Sequence, residues 1–448
     1  MYLINEIQFI EIHKNKYLMI NLINGASDYI NEQIYYKIKN NQLSDLDSSV
    51  IEKMKTRKYL FLNKLEYDSF ILEINIKLEQ LETNSTPSFL IIPTYACNLK
   101  CIYCYEQTYE ISNTSLKNKF ELVDKQFALI NEIVYQHKKN NTINSNKEIK
   151  ITIMGGEPLL KGNIKVIQYI LENVKKNGYS VNIVTNGVDL EYYIQDLNDD
   201  NVEHIQVTVD GSQKIHDSRR MLHNGSGSFE KIISNIKKAL DSDITVYLRV
   251  NADISTISDI PYLADILVEK FGLISKLKPY IYLLQDGGCS GEQNVVDEQI
   301  GIESLLRMEK QYPNTKVFYK NFHPSAFINA IFSNEIYQPV LRHCGASKNQ
   351  YIIDYKGNIY KCWHGIGNDN YRTGTFDPIY KIDENILNMW QTRSVNILES
   401  CIDCKYRYIC GTGCPASKHK SSDNFDIESP SCIDYNTLIN KLVLEYIK

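Results

Sequence analysis

The sequence predicts an α/β fold whose central unit is a partial (β/α)6 TIM-like barrel. From Phe89 onward, short apolar runs with strand character alternate with amphipathic stretches of helical periodicity, an order typical of parallel βα units. Six such units can be counted, fewer than the eight that close a full barrel. Functional side chains are therefore expected at the carboxyl ends of the strands.

The predicted elements follow one another in a regular order. Helices, for example at 116–138 and 228–240, are expected between strands because apolar residues recur there with helical spacing. A helix is also expected at 436–447. The six barrel strands are expected at 89–94, 149–154, 181–185, 205–209, 244–250 and 280–284, and two later strands at 351–354 and 358–361, around a turn at 354–357.

Four segments are predicted along the 448 residues, a length that suits two to four domains. The composition changes near residue 85, since the first proline is Pro87 and Gly25 is the only glycine before it. Before that boundary, residues 7–22 alternate like strands, and residues 28–39 and 48–58 have helical periodicity. We expect a small strand-and-helix domain at 1–85, the barrel at 86–290, a bridge at 291–342 and a cysteine-rich domain at 343–448.

Charge and hydropathy argue against two classes of partner. Lys and Arg number 49 against 54 Asp and Glu, a formal net charge of -5, which does not suit a general binder of nucleic acids or membrane surfaces. No apolar run approaches the ~18 residues that span a bilayer, and the first residues lack a signal-peptide pattern. We expect no nucleic-acid partner, no membrane partner and a cytoplasmic location.

Cysteine usage indicates metal ligation. The chain has 11 cysteines, an odd number, and a reducing compartment disfavours disulfides. The first group follows the first barrel strand, where Cys97, Cys101 and Cys104 have the spacing C-x3-C-x2-C. Three thiolates can hold three irons of a four-iron four-sulfur cluster and leave the fourth iron open to a small molecule. A structural zinc site requires four ligands, so an open cluster is favoured.

The run TYACNLKCIYCYE around these cysteines resembles the signature loop of the radical S-adenosylmethionine (radical SAM) superfamily. The resemblance implies that the amino and carboxylate groups of S-adenosylmethionine bind the open iron and that Tyr103 contacts the adenine. It also implies a reaction, in which one electron splits the sulfonium and a 5′-deoxyadenosyl radical abstracts hydrogen from a substrate carbon. Flavodoxin or ferredoxin is the expected reductant.

Residues at later strand ends extend the resemblance. Gly155-Gly156-Glu157 resembles the GGE motif of the superfamily, where glycine lets bare backbone approach the ligand and Glu157 accepts a bond from the methionine ammonium. Taken singly, the glycines indicate a plain turn, and Arg220 indicates a solvated surface charge rather than a carboxylate clamp. By resemblance, the nucleoside and carboxylate pockets are shaped by Gly155, Gly156, Glu157, Thr185, Asn186, Thr208, Asp210, Arg249 and Asn251.

The C-terminal cysteines match a second family pattern. Their spacing is C-x12-G-x4-C, then C-x2-C-x5-C-x3-C, then x17-C, and it resembles the seven-cysteine SPASM domain of radical SAM enzymes that modify peptides. The resemblance implies two auxiliary four-iron clusters besides the catalytic one, three in total. It assigns one auxiliary cluster to Cys401, Cys404, Cys410 and Cys432, and the other to Cys344, Cys362 and Cys414.

The set of three leaves a fourth ligand unassigned. The nearest upstream cysteine is Cys289, and three roles are open for it. It is the fourth ligand, brought back to the cluster by the path of the chain, or a thiol that contacts substrate, or a plain buried thiol. Alternatively, the iron is open to a substrate thiolate. Two zinc sites would require one more cysteine than the segment has. His343 and His364 flank cluster cysteines and are expected to be structural.

Residues 1–85 resemble, in size and pattern, the winged-helix domains that bind leader peptides of ribosomally made precursors. The leader would add a strand to an exposed sheet edge; the alternative is that the segment only packs against the rest of the chain. Together the resemblances imply a radical SAM peptide maturase of the RiPP type, which forms a thioether or another macrocyclic crosslink in a ribosomal precursor peptide.

Two other functions are compatible with parts of the pattern. The first is a sulfatase maturase that forms formylglycine. In that relative an aspartate follows the second cysteine of the C-terminal domain, and here that position is Trp363. The second is an iron–sulfur electron carrier without catalysis, which would need neither the GGE loop nor a nucleoside pocket.

Overall fold

The computed structural model describes residues 1–104, 106, 116–140, 145–284, 298–320, 325–333, 337–418 and 426–447. Cys289, one candidate for the unassigned ligand, lies outside these residues.

The N-terminal elements form a small antiparallel sheet with three helices. The strands β2, β3 and β4 pair in that order, and β1 pairs with β5. The predicted strand character of residues 7–22 and the helix predicted at 48–58 are confirmed. The elements are β1 (Tyr2–Leu3), β2 (Ile7–His13), β3 (Lys16–Asn21), β4 (Ser27–Asn31), α1 (Glu32–Lys39), α2 (Ser48–Thr56), β5 (Leu60–Phe61) and α3 (Lys64–Thr83).

The helix predicted from residue 28 is wrong at its start. Burial alternates along β4, and Asp28 is turned inward, where it forms ion pairs with Lys53 and Arg57. Helix α1 begins only after Asn31, whose side chain accepts a hydrogen bond from the Ile34 N–H (2.9 Å) and so caps the helix.

Helix α3 was not predicted from the sequence. The Asn63 side chain accepts a bond from the Glu66 N–H (2.9 Å), and the Glu66 carboxylate accepts one from the Leu62 N–H (2.7 Å), an arrangement close to a capping box. Apolar residues occur on most sides of the helix, some buried, such as Leu78, and others exposed, such as Leu72. This distribution hides the helical periodicity.

The central unit is the predicted open barrel. Its six long strands lie in the order β6-β8-β9-β10-β12-β13, and every neighbouring pair is parallel. Within the described residues the two end strands β6 and β13 do not pair with each other, so the barrel stays open. The elements are β6 (Ser88–Ile92), β7 (Leu99–Cys101), α4 (Leu116–Lys139), β8 (Lys150–Ile153), α5 (Ile164–Asn177), β9 (Ser180–Thr185), α6 (Ile194–Leu197), β10 (Val202–Thr208), α7 (Gln213–Arg219), β11 (Arg220–Leu222), α8 (Phe229–Asp241), β12 (Val246–Ala252), α9 (Ile260–Phe271), β13 (Leu277–Leu283), α10 (Glu298–Gln311), β14 (Tyr319–Lys320) and α11 (Ser325–Ser333).

The C-terminal segment continues the barrel sheet. Strand β15 pairs in parallel with β6, and β16, β17 and β18 follow with antiparallel pairing. The strands predicted at 351–354 and 358–361 and the helix predicted at 436–447 are confirmed. The elements are β15 (Gln350–Asp354), β16 (Asn358–Tyr360), β17 (Arg372–Thr375), β18 (Lys381–Ile382), α12 (Glu384–Thr392), α13 (Glu399–Ile402), α14 (Arg407–Cys410) and α15 (Tyr435–Ile447).

The N-terminal elements pack directly on the cysteine-rich segment. Cys401 and Tyr408 belong to the same buried apolar cluster as Ile7 and Leu78. The Tyr408 hydroxyl also contacts the Asn75 side chain of α3 (3.0 Å). The first and last parts of the chain therefore share a core. Among the described residues, no helix combines the length and the apolar character needed to cross a membrane.

Candidate functional site

The loop that carries the first cysteine group is held by the segment that follows β10. Strand β7 pairs with β11 in antiparallel register, with Cys101 opposite Arg220. The Nε2 atom of His223 lies 3.0 Å from the carbonyl oxygen of Cys97. Residues 97–101 of the cysteine loop are thus bonded to residues 220–223.

The Gly155-Gly156-Glu157 turn lies against the same loop. A Cβ atom on Gly156 would lie 2.3 Å from the carbonyl oxygen of Tyr95, and one on Gly155 would lie 2.6 Å from that of Thr94. Gly155 also has a φ of +137°, which side chains disfavour. Close approach of two protein backbones accounts for both glycines, whereas the sequence motif suggested approach to a ligand.

The Glu157 side chain connects the ends of β8 and β9. It is 1% exposed, and its carboxylate accepts bonds from the Thr185 hydroxyl (2.7 Å), the Asn186 N–H (2.6 Å) and the Leu159 N–H (2.8 Å). Burial raises the pKa of Glu157 to about 7. Both oxygens already have donors within the protein, which gives Glu157 a structural role. Its contact with the methionine ammonium stays a prediction.

Asn186 brings the end of β9 to the cysteine loop. Its Nδ2 atom lies 3.7 Å from the Cys97 sulfur and donates to Asn98 Oδ1 (2.7 Å), while its Oδ1 atom accepts from the Val188 N–H (2.9 Å). The side chain is therefore fixed on both sides, with an amide donor directed at a thiol of the site.

Tyr103 lies at the centre of a buried polar network. Its hydroxyl donates to Asp210 Oδ2 (2.5 Å) and accepts from Arg220 Nη1 (2.6 Å) and Asn251 Nδ2 (3.1 Å). Asp210 is fully buried, and Arg220 is only 7% exposed. The interpretation of Arg220 as a solvated surface charge is wrong, because the Tyr103 hydroxyl and β7 hold it inside.

A second arginine completes this network. Arg219 Nη1 donates to Asp253 Oδ2 (2.5 Å), its Nε atom lies 3.4 Å from Asp210 Oδ2, and its guanidinium lies 4.8 Å from the centre of the Tyr103 ring. Two buried carboxylates thus balance two buried guanidinium groups. Neither Arg219 nor Asp253 was singled out from the sequence. The consecutive arginines after the Asp210 strand end were the available signal.

His216 supports the buried polar network through contacts with Asp210 and Ser228. Its Nδ1 atom accepts from the Asp210 N–H (3.3 Å), and its Nε2 atom lies 3.0 Å from the Ser228 hydroxyl, which itself donates to the Arg220 carbonyl (2.6 Å). These partners require a neutral imidazole protonated at Nε2. Burial lowers the pKa of His216 to about 3. This residue was not predicted from the sequence.

The remaining predicted residues also lie at strand ends. Thr208 is opposite Arg249 in the parallel register of β10 and β12. Arg249 Nε donates to Asn251 Oδ1 (2.8 Å), and its guanidinium lies 4.1 Å from the centre of the Tyr282 ring. Through Asn251, Arg249 is connected to Tyr103 and so to the cysteine loop.

The three thiols of the first group influence one another. Burial raises the pKa of Cys97 to about 12 and that of Cys104 to about 11, and neighbouring thiols, Cys101 among them, add to both increases. Thiols with such pKa values stay protonated at neutral pH, so a metal must displace the protons. Three thiols in one loop fit a cluster that has one open iron.

The seven C-terminal cysteines fall into two sets. Burial raises the pKa of Cys410 to about 12, with further contributions from Cys401, Cys432 and Cys404. Burial also raises the pKa of Cys362, with contributions from Cys344 and Cys414. These sets are the two that the resemblance assigns, although their metal content stays a prediction. Among the described residues, no three or more Cys, His, Asp or Glu side chains are close enough to enclose a single metal ion.

A family comparison covers the part of the chain that contains the strand-end network. Residues 91–265 match the family model described as the Radical SAM superfamily. The chain contains a radical SAM domain. The radical SAM domain includes the first cysteine group, the GGE turn and the network from Tyr103 to Asp253. It makes the chain a radical SAM enzyme and supports S-adenosylmethionine and a four-iron four-sulfur cluster as cofactors.

Three known proteins show how far the similarity extends beyond the radical SAM domain. A cysteine-type anaerobic sulfatase-maturating enzyme of Clostridium novyi is 23% identical over 374 residues, which are 79% of this chain and 94% of the relative. The structure of anSMEcpe with bound AdoMet and Cp18Cys peptide matches with a TM-score of 0.57 and 18% identity, over 81% of this chain and 96% of that chain. The structure of Streptococcus suis SuiB bound to the precursor peptide SuiA matches with a TM-score of 0.53 and 15% identity, over 95% of this chain and 98% of that chain. Likeness at these identities shows a shared fold.

Proposed function

We propose that this radical SAM enzyme is a peptide maturase that forms a thioether or another macrocyclic crosslink in a ribosomal precursor peptide. The supporting observation is the extent of the fold match, which includes nearly the whole chain for SuiB, 95%, but 81% for anSMEcpe. SuiB binds a precursor peptide, SuiA. A peptide substrate suits a protein with that fold and a seven-cysteine C-terminal region.

The chain's own residues hold and orient the reacting groups. Cys97, Cys101 and Cys104 would bind the catalytic cluster, and Tyr103 would face the adenine. When bound, the reduced cluster and S-adenosylmethionine supply a 5′-deoxyadenosyl radical. Asp210 and the two buried arginines keep the Tyr103 ring in one position, and the buried strand ends keep water away from the site.

The two C-terminal sets would each hold an auxiliary four-iron cluster, one of which accepts the surplus electron of crosslinking. The set of three would be completed by Cys289 or by a thiolate of the substrate. Flavodoxin or ferredoxin would reduce the catalytic cluster.

The leader of the precursor would bind at the N-terminal sheet. Strand β4 lies at one edge of the order β2-β3-β4, and its Tyr29 side chain is 66% exposed. An extended leader could add to this edge as a further strand. Tyr29→Asp should weaken binding of a fluorescent precursor peptide by about tenfold and leave cleavage of S-adenosylmethionine unchanged. Equal affinity in both proteins would contradict leader binding at β4.

A sulfatase maturase is the second candidate, and the Clostridium novyi relative favours it because the match covers 94% of that protein. The residue after Cys362 argues against it. That residue is Trp363, 38% exposed, and indole cannot act as a base at neutral pH. The position therefore lacks the carboxylate that the resemblance assigns to formylglycine formation.

One experiment separates the candidates. Iron-loaded protein is incubated anaerobically with dithionite, S-adenosylmethionine and either a peptide encoded beside the gene or a cysteine peptide from a sulfatase. Crosslinking removes two hydrogen atoms from the precursor peptide, whereas formylglycine formation replaces the thiol of the sulfatase peptide by an aldehyde. The variant Cys97→Ala/Cys101→Ala/Cys104→Ala serves as the control and should produce no 5′-deoxyadenosine. Undiminished cleavage by that variant would refute the radical SAM assignment of these cysteines.

A further inference from the structure

Arg393 is a buried cation whose described hydrogen-bond partners are backbone carbonyl oxygens. Its side chain is 2% exposed and follows α12. In the described parts of the chain, no Asp or Glu oxygen lies within the 4.0 Å of an ion pair. Asp426 acts on it only from a longer distance. The guanidinium donates instead to four backbone carbonyl oxygens, those of Ile427, Ser429 (2.7 Å), Thr412 (3.2 Å) and Gly413 (3.2 Å).

Two other buried arginines, Arg219 and Arg342, have carboxylate partners, whereas Arg220 donates to the Tyr103 hydroxyl. Arg219 contacts Asp253, and Arg342 contacts Glu79 (2.6 Å). Removing a full charge from water is unfavourable unless an opposite charge lies nearby. Carbonyl dipoles solvate Arg393 but do not neutralise it. Among the described carboxylates only Asp426 acts on Arg393, and it does so from beyond ion-pair distance, so the positive charge is only partly balanced.

The four carbonyl groups belong to segments between cluster cysteines. Thr412 and Gly413 separate Cys410, which belongs to one set, from Cys414, which belongs to the other. Three consecutive residues in this turn have positive φ, and the middle one is Thr412, with a φ of 84°. A threonine in this conformation is strained and needs external support, which Arg393 gives by binding the carbonyl oxygens of the turn.

Members of both cysteine sets act on the guanidinium. Burial lowers the pKa of Arg393, while Cys344, Cys414 and Cys401 have the opposite effect. The first two of these cysteines belong to the set of three and the last to the set of four. Because the guanidinium also binds the carbonyl oxygens of Thr412 and Gly413, which separate a cysteine of one set from a cysteine of the other, Arg393 lies between the two sites.

We propose that Arg393 is the shared counter-ion of the two auxiliary clusters and a positioning residue for the turn between them. This inference rests on the auxiliary clusters of the proposed function. A four-iron cluster bound by thiolates is anionic and becomes more negative when it accepts one electron from the reductant. A fixed positive charge stabilises the reduced form and raises the reduction potential of each cluster.

The test is a redox titration of iron-loaded, full-length protein, followed by electron paramagnetic resonance. It uses the Cys97→Ala/Cys101→Ala/Cys104→Ala background, in which only auxiliary clusters give a signal. We expect Arg393→Gln to lower the equilibrium constant for one-electron reduction at least tenfold, which corresponds to about 59 mV. Arg393→Lys keeps the charge and should stay within about threefold of the parent protein. Arg372→Gln removes a half-exposed arginine that pairs with Asp369 and should leave the potentials unchanged.

Each further outcome decides the inference. Unchanged potentials in Arg393→Gln would overturn it. Loss of auxiliary iron in Arg393→Gln but not in Arg393→Lys would support it, because lysine keeps the positive charge and glutamine does not. Equal iron loss in both variants would overturn it, since the planar guanidinium group rather than the positive charge would then be required.

Protein with intact Cys97, Cys101 and Cys104 should hold about twelve irons per chain, four per cluster. About four irons would instead refute the auxiliary clusters themselves.

Discussion

The two cysteine regions are supported in different ways. The loop at 97–104 lies among strand ends, and the charges around it are balanced by the chain itself, as Arg219 with Asp210 and Asp253 shows. The C-terminal cysteines lie on turns and on the four-residue helices α13 and α14. They surround Arg393, which has no carboxylate within ion-pair distance in the described parts of the chain. We therefore expect the first site to be organised before any metal binds, and the second to depend on the proposed clusters for charge balance and order.

Removal of iron should produce the largest difference between the two cysteine regions, seen as a difference in amide hydrogen exchange. We expect chelation to increase amide hydrogen exchange in residues 399–414 by about 100-fold or more, because metal binding contributes folding free energy there. Strands β8, β9 and β10 should change by less than about threefold. Mass spectrometry of peptides from iron-loaded and stripped protein measures both effects. Similar increases in the two regions would disprove the comparison.

Substitution of Gly156 should distort the first site by displacing the backbone that carries the cysteine loop. In Gly156→Ala the new Cβ would lie 2.3 Å from the Tyr95 carbonyl oxygen and 2.5 Å from that of Ala96, and backbone atoms cannot move away easily. We expect unfolding free energy to fall by about 2–4 kcal/mol and 5′-deoxyadenosine formation to fall at least about 100-fold. Denaturant titration and product assays measure these effects.

Gly162→Ala is the matched control for that variant, since no atom lies within 4 Å of its new Cβ. Its stability should stay within about 0.5 kcal/mol of the parent protein. Normal activity of Gly156→Ala would show that the cysteine loop tolerates displacement of the GGE turn.

The first site should also respond to pH through His216. Its pKa is lowered to about 3 in the folded protein, whereas an unfolded chain has an ordinary value near 6.5. Below pH ~6.5 only the unfolded chain takes up this proton, so its stabilising contribution is present above pH ~6.5 and declines as pH falls toward 3. At pH 5 the loss amounts to about 2 kcal/mol relative to pH 7.5.

Denaturant titrations of the parent protein and His216→Gln at both pH values measure this contribution. The variant does not titrate at this position, so its pH dependence should be smaller by that amount. Effects of acid on the clusters occur in both proteins and cancel in the difference. An identical pH dependence would exclude a buried neutral imidazole.

Sequence patterns predicted the framework of the first site better than its interior. Strand positions follow from alternation of apolar runs and helices, and parallel strands place their carboxyl ends at one edge of the sheet. That rule was enough to bring Glu157, Asn186 and Asp210 together. The burial of Arg219 and Arg220 was not predictable, because a charged residue becomes buried only through partners distant in sequence, here Asp253 and Tyr103.

The same limit applies to the N-terminal part of the chain. Strand β4 was missed because Asp28 looks like a surface residue until its contacts with Lys53 and Arg57 are known. Arg393 had no sequence signal either, since its partners are carbonyl groups, which every residue has. Periodicity thus predicts where elements lie, while the pairing of buried charges must be read from the structure.

The smallest expected effect concerns Glu82, at the contact between α3 and the cysteine-rich segment. Its carboxylate accepts from the Leu341 N–H (3.0 Å) and from Arg342 Nη1 (3.3 Å), and it pairs with Lys348 (3.3 Å). Glu82→Gln removes the charge but keeps a carbonyl acceptor, and Glu79 remains to pair with Arg342. We therefore expect the free energy of unfolding to fall by about 1–2 kcal/mol, measured by denaturant titration.

Because α3 packs on the C-terminal region, this loss of stability should be accompanied by faster amide exchange at 399–414 but not in β8–β10. Faster amide exchange in the barrel strands instead would show that the N-terminal unit stabilises the first site rather than the C-terminal region. Deletion of residues 1–85 would uncover Cys401 and Tyr408 as well, which makes this single substitution the cleaner probe.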